Sequence, residues 1–282
     1  MPLRVKGILK PGEFYLKGDI SSQFITGLMF VLPLLCGDSK IIITSKLESK
    51  AYVDLTMDIL NKFGVKIENN NYKEFYIKGN QSYVPRNYNV EGDFSQGAFW
   101  LVAGAIGEEM SCKNLNINSL QGDKEIINII KYMGGIININ NDCIKVISSK
   151  LKGITIDASE IPDLVPILAV AGTVSSGVTK IINAKRVRIK ECDRLHAIAC
   201  ELNKIGGEVE ELEDSLIIKG NKKLKGGIVD SWNDHRIAMA MAVASTVCEE
   251  SLIINNSKAV EKSYPNFWEE FRNVGGNFVN EL

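Results

Sequence analysis

Histidine is the scarcest functional side chain in this sequence, with two among 282 residues. The six cysteines, Cys36, Cys112, Cys143, Cys192, Cys200 and Cys248, form no C-x-x-C pair. No metal-ligand cluster is therefore expected, and scattered thiols in a chain of this size fit a reducing cytoplasm better than a disulfide framework. Net charge is nearly absent, at −1. That leaves no basic field for nucleic acid or anionic lipid, so any anion site must be local. Long apolar runs are missing as well. The longest, "FITGLMFVLPLLCG", is too short to span a bilayer and contains Pro33. The opening "MPLRVKGILKPGEF" lacks the uninterrupted apolar core of a signal peptide. A cytoplasmic protein with no membrane or nucleic-acid partner is the expectation. Hydrophobic content of 45% and charged content of 24% are those of an ordinary globular chain, and the length allows two cores.

What the sequence does contain is a repeat. Four amphipathic helical stretches, "DILNKFGVKIE", "NIIKYMGGIIN", "ACELNKIGGEV" and "WEEFRNVGGNF", each run into a glycine followed by a strand pattern. The glycines are Gly64, Gly134, Gly206 and Gly275, a period of about 70 residues of the kind that decides an architecture. Glycine is the usual left-handed stop after a helix. A second class of helix recurs with the same period: "DISSQFITGLMFVLPLL", "DFSQGAFWLVAGAI", "EIPDLVPILAVAGTV" and "WNDHRIAMAMAVASTV". These open on Ser, Asp or Asn and are then almost wholly apolar, which predicts burial in the middle of a domain. Short strands are expected after them at "KIIIT", "NLNI", "TKIINA" and "LIINN". The pattern reads as α/β units with parallel strands and right-handed crossovers.

The lead-ins "FYIKG…YNVEGDFSQ", "IKVIS…ITIDASEIPD" and "LIIKG…GIVDSWNDHR" align with "LRVKG…FYLKGDISSQ" at residues 3–22. In the first three a glycine, a strand and an exposed helix come before. The fourth has only Met1 and Pro2 before it, so the repeat predicts an N-terminal portion that is missing or supplied by another polypeptide.

Eight stretches then match one family in order. They are "GDISSQF" (18–24), "SKLESKAYVDLT" (45–56), "EGDFSQGAFWL" (91–101), "QGDKE" (121–125), "IPDLVPILAV" (161–170), "RIKECDRL" (188–195), "SWNDHRIAMA" (231–240) and "EKSYPNFWEEF" (261–271). The chain resembles 5-enolpyruvylshikimate-3-phosphate (EPSP) synthase. The resemblance implies a two-lobed α/β enolpyruvyl transferase fold built from βαβαββ-like units, with the first lobe incomplete. Residues 1–90 would mainly hold shikimate 3-phosphate. Residues 91–282 would carry the catalytic carboxylates and the phosphoenolpyruvate cations. The implied reaction moves the enolpyruvyl group of phosphoenolpyruvate to the 5-hydroxyl of shikimate 3-phosphate and releases phosphate, with no metal or organic cofactor.

Carried over residue by residue, the resemblance assigns shikimate 3-phosphate to Ser21, Ser22, Gln23, Ser49, Tyr52, Asp163 and Lys190. Phosphoenolpyruvate falls to Gln23, Arg194, Arg236 and Lys262. Asp163 would take the hydroxyl proton and Glu191 would protonate the methylene carbon. Each residue also has a plainer reading. Ser21 to Gln23 look like a helix start, and Ser49 and Tyr52 like capping and half-buried residues before the next helix. Asp163 looks like a cap between two prolines. Lys190, Glu191 and Arg194 look like a first helical turn, although two cations there oppose the macrodipole and suggest a nearby anion. Arg236 opens an apolar helix, where an unpaired charge would be costly, while Lys262 reads as a loop cation. Ser95 and His235 are read as structural, and Arg186 stands where some family members have a substrate-contacting asparagine, so it receives no role. Two rival readings remain: a non-catalytic fragment or one subunit of a split enzyme, and the UDP-N-acetylglucosamine enolpyruvyl transferase that shares the fold.

Overall fold

The structure, a computed structural model, describes residues 2–140, 143–220 and 223–279. The chain divides into two compact units, Met1–Val90 with Leu120–Gly122, and Glu91–Ser119 with Asp123–Leu282. In the first unit the order is β1 (Glu13–Leu16), α1 (Ser22–Val31), β2 (Ser39–Ile43), α2 (Lys50–Lys62), β3 (Ile67–Asn70) and β4 (Glu74–Ile77). Its sheet runs β1-β2-β4-β3.

The second unit begins with α3 (Phe94–Ile106), β5 (Met110–Lys113), α4 (Ile126–Tyr132), β6 (Ile136–Asn140) and β7 (Cys143–Ile147). A full copy follows: β8 (Thr155–Asp157), α5 (Val165–Val174), β9 (Val178–Ile182), α6 (Arg194–Lys204), β10 (Val209–Glu211) and β11 (Leu216–Lys219). The last copy has β12 (Gly227–Asp230), α7 (His235–Ser245), β13 (Leu252–Asn255) and α8 (Phe267–Asn273). Its sheets are ordered β5-β7-β6, β10-β11-β9-β8 and β12-β13.

Parallel pairing was expected throughout but is confined to β1–β2, β8–β9 and β12–β13. In each of these a helix of the apolar class, α1, α5 or α7, crosses between the two strands. The strands after the exposed helices instead fold back as the hairpins β3–β4, β6–β7 and β10–β11, and a short connection makes a pair antiparallel. The third strand of each such sheet also pairs antiparallel with β4, β7 or β11, which therefore lie between two partners.

This arrangement explains why "LRVKG" forms no strand. It occupies the place of β4, β7 or β11 in the repeat, and neither ladder partner for it is present among the described residues. Leu3, Val5 and Ile8 are exposed instead. Two further expected strands do not form among the described residues: neither Tyr88–Glu91 nor residues 276–279 after α8 join a ladder. The strand expected at "NLNI" forms four residues earlier as β5, because Asn114 adopts φ 63° and turns the chain.

All four period-setting glycines do end their helices in the left-handed region, at φ 86°, 91°, 94° and 100° for Gly64, Gly134, Gly206 and Gly275. The helices α3, α5 and α7 are buried on almost every side and pack against one another. Their counterpart α1 departs from the expectation. Ile25 and Met29 are buried, but Phe24 is 61% exposed, and Phe30, Val31 and Leu34 are open as well. It is the one helix of this class in its unit, so no sister helix covers its outer face.

These backbone assignments separate two glycines that look alike in sequence. Gly27 lies inside α1 with open space at its Cβ position, whereas Gly206 needs φ 94°. Gly27→Ala should stabilise its unit by roughly 0.5–1 kcal/mol, and Gly206→Ala should destabilise its own by about 1 kcal/mol or more. Urea unfolding midpoints check both signs.

Candidate active site

The packing of α3, α5 and α7 brings their N-terminal turns together in the second unit. Arg236, in the first turn of α7, donates from Nη2 to Ser95 Oγ at 3.0 Å and from Nη1 to the Ser95 carbonyl at 3.3 Å. The same Nη2 reaches Asp163 Oδ2 at 3.2 Å. Asp163 lies in the 3-10 turn Pro162–Leu164 just before α5, and neither that turn nor α5 uses a side-chain cap. Its carboxylate turns to the cations instead.

Arg194 is the centre of the cluster and is 1% exposed. Its Nε donates to Asp234 Oδ2 at 2.8 Å, Nη1 to Asp163 Oδ1 at 2.8 Å, and Nη2 to Glu191 Oε2 at 2.6 Å. Lys190 Nζ lies 3.5 Å from Asp163 Oδ1, and Lys262 Nζ lies 3.1 Å from Glu191 Oε1. Four cations thus interlock with three carboxylates. Among the described residues no group of three or more His, Cys, Asp or Glu is placed to hold a metal ion, and no helix is long and apolar enough to cross a membrane.

The local sequence accounts for this geometry, with one correction. The helix expected to begin near Lys190 begins at Arg194, because Asp193 caps it by accepting from the His196 N–H. Asp193 is itself held by Arg188, 2.7 Å away. Lys190 and Glu191 therefore sit in the preceding loop, and they meet Arg194 across the loop rather than along one helix face. Asp234 caps α7 by accepting from the Arg236 N–H at 2.8 Å. It is aimed by Trp232 and Asn233, both left-handed at φ 55° and 53°, a costly pair that persists only when its surroundings hold it. Trp232 is pinned by its Nε1–H bond to buried Glu201 at 2.7 Å.

Asp234 and Ser95 were not identified from sequence as site residues, since both sit at helix starts and capping explains them. The signal for Asp234 was the buried Arg236 two residues on. His235 is buried beside Asp234. Arg186 is buried in the 3-10 turn Lys185–Ile189.

In the first unit Ser21 caps α1, accepting from the Gln23 N–H at 3.3 Å. Ser22 is buried and Gln23 exposed. Ser49 is a buried left-handed residue, φ 53° and ψ 46°, at the entry to α2. Tyr52, expected before that helix, lies in its first turn.

Burial alone would raise the Asp163 carboxyl. The charges of Arg236, Lys190 and Arg194 outweigh it and hold the group well below the usual carboxylate range. Burial likewise opposes Arg194 and Lys262 at Glu191, and the cations bring it down to about 2. Burial and the Arg236 charge lower His235 to about 4. Burial and Asp234 push the Cys192 thiol up to about 12, which makes it an inert neighbour rather than a nucleophile.

These shifts set the acid stability of the unit. Unfolded histidine binds its proton near pH 6.5, but folded His235 resists it, so stability falls as pH drops from about 6.5 toward 4. Asp163 and Glu191 contribute stability that is complete above the unfolded value near 4 and is lost as pH falls below it. Unfolding midpoints measured from pH 7 to 2.5 should decline in two stages. His235→Asn should flatten the upper stage and leave the lower one steep.

Comparison with known proteins follows from this geometry. Residues 1–271 match the family described as EPSP synthase (3-phosphoshikimate 1-carboxyvinyltransferase). A protein of Clostridium novyi named 3-phosphoshikimate 1-carboxyvinyltransferase is 67% identical over 98% of this chain and 63% of its own length. One of the same name from Clostridium perfringens is 57% identical over 100% of this chain and 66% of its own. This chain thus spans just under two thirds of the length of such relatives. A solved EPSP synthase of Acinetobacter baumannii superposes with TM-score 0.82 at 26% identity, covering 95% of this chain and 63% of that one. Sequence and fold agree, and the chain belongs to the EPSP synthase family.

Proposed function

We propose that this chain carries the second-unit chemistry of enolpyruvyl transfer from phosphoenolpyruvate to the 5-hydroxyl of shikimate 3-phosphate, in the cytoplasm. The observation that carries the reading is the gathering of Asp163, Lys190, Glu191, Arg194, Arg236 and Lys262 into one cluster. Arginines with planar forks and lysines as point charges suit a ligand bearing both phosphate and carboxylate. Arg194, Arg236 and Lys262 would hold phosphoenolpyruvate, together with Gln23 of the first unit. Ser21, Ser22, Gln23, Ser49 and Tyr52 would bind shikimate 3-phosphate from the first unit, and Asp163 and Lys190 from the second. Domain roles follow: residues 1–90 mainly serve shikimate 3-phosphate, and residues 91–282 mainly serve phosphoenolpyruvate and the proton transfers.

In this scheme Asp163 accepts the hydroxyl proton as the oxygen bonds to C2 of phosphoenolpyruvate, and Glu191 gives a proton to the methylene carbon. The tetrahedral adduct then returns a methyl proton to the Glu191 carboxylate as its C2–O–phosphate bond breaks, restoring the double bond and releasing phosphate. Cations already fixed in place stabilise the charge that develops. Asp163 is a weak base while three cations face it. Drawing Lys190 toward the shikimate 3-phosphate anion would make it a stronger one.

Because the chain spans only part of its relatives, the test supplies the remainder. Phosphate release from phosphoenolpyruvate is measured with the chain alone and with the unspanned part of a relative added in trans. Release should depend on both substrates and appear on complementation, and Asp163→Asn or Glu191→Gln should lower it by roughly 10²- to 10⁴-fold. Turnover with UDP-N-acetylglucosamine but not shikimate 3-phosphate would assign the rival transferase instead. Substrate binding without any release under either condition would favour a non-catalytic chain.

A further inference from the structure

Three carboxylates surround Arg194, and they are not equivalent. Asp234 is fully buried and caps α7, while Asp163 is 16% exposed and shares its other oxygen with Arg236. Glu191 is the most open of the three at 25%. It stands in the loop between the 3-10 turn Lys185–Ile189 and α6, outside any regular element. Each of its oxygens takes a different cation, Oε2 on Arg194 at 2.6 Å and Oε1 on Lys262 at 3.1 Å. A bridging anion would use the same two donors in the same way.

We infer that Glu191 is a built-in occupant of the anion site, which an incoming anion displaces from Arg194 and Lys262, and that the displaced carboxylate takes up a proton from solvent. The inference rests on reading this cluster as the phosphoenolpyruvate site. It explains how a group that is ionised at rest becomes the acid the reaction needs. At rest Glu191 pairs with Arg194 from α6 and with Lys262 from the 3-10 turn Ser257–Lys262, and Lys190 precedes it in the same loop. Asp163 faces the cluster from the turn before α5, and Asp234, His235 and Arg236 face it from α7. Once a ligand engages Arg194 and Lys262, Glu191 loses both of its ion pairs and gains the ligand's negative charge as a neighbour. A like charge nearby and the loss of hydrogen bonds both disfavour the ionised carboxylate. The low resting value of Glu191, set against burial by those same two cations, is the starting point the mechanism requires. Anion binding and protonation are then linked, with each promoting the other.

Sulfate is the suitable probe, because it does not itself titrate near neutrality. Calorimetric titration of the full chain with sulfate, in buffers of different ionisation enthalpy, reads both affinity and protons taken up. A fraction of a proton per bound sulfate is expected at pH 5.5, falling toward none at pH 8. Glu191→Gln should abolish the uptake and bind sulfate roughly three- to tenfold tighter, because the competing charge is gone. His235→Asn should keep the uptake, which assigns the proton to Glu191. Binding without proton uptake in the wild-type chain, or equal uptake in Glu191→Gln, overturns the displacement idea and leaves the anion site standing. No binding at all overturns the anion-site reading and this inference with it.

Discussion

A guanidinium buried to 1% exposure is the constraint on which the second unit turns. Removing Arg194 from water would be strongly unfavourable unless every edge of its fork were paired. Three carboxylates do this from three places: the turn before α5, the loop before α6 and the cap of α7. The pairing fixes more than charge. It ties the start of α6 to the start of α7 through Asp234, and to the start of α5 through Asp163. Arg236 then carries the connection to α3 through Ser95. Replacing this core with apolar side chains of similar volume could serve stability equally well.

The repeat is what makes such a cluster possible. Copies of one β-α-β-α-β-β pattern place helices of one class, α3, α5 and α7, against each other with their first turns at a common point. Helix N-termini carry partial positive charge and unsatisfied N–H groups, so their convergence favours anions there. Side chains at matched positions could diverge in role while their backbones stayed alike. Asp93 and Asp234 both cap their helices, but only Asp234 also pairs with the buried Arg194.

Much of this was legible in the residues. Left-handed glycines after amphipathic helices need only local rules, and Gly64, Gly134, Gly206 and Gly275 obey them. The wholly apolar helices were found for the same reason. What local pattern does not encode is which surfaces have partners. The apolar sequence of α1 is a stronger burial signal than that of α7, yet its outer face is open because only neighbours can cover it. "LRVKG" has good strand composition and no ladder. The start of α6 was placed four residues early because Asp193 looked like one charge among several until its bond to the His196 N–H singled it out. Asp234 escaped notice because its cap role is common and its bond to Arg194 joins residues forty apart in sequence. Of the expected site residues, the second unit brings together Asp163, Lys190, Glu191, Arg194, Arg236 and Lys262. The first unit sets Ser21, Ser22 and Gln23 at one helix start and Ser49 and Tyr52 at another.

From family membership and the charge cluster together, we propose that the second unit is an anion site whose own carboxylates stand in for ligand until ligand arrives. The direct measurement is the set of arginine Nε–H resonances of the ¹⁵N-labelled chain, titrated with phosphoenolpyruvate. The account predicts saturable shifts at Arg194 and Arg236 and none at surface Arg272. Shifts confined to exposed arginines, with Arg194 and Arg236 unmoved at saturating ligand, would contradict it.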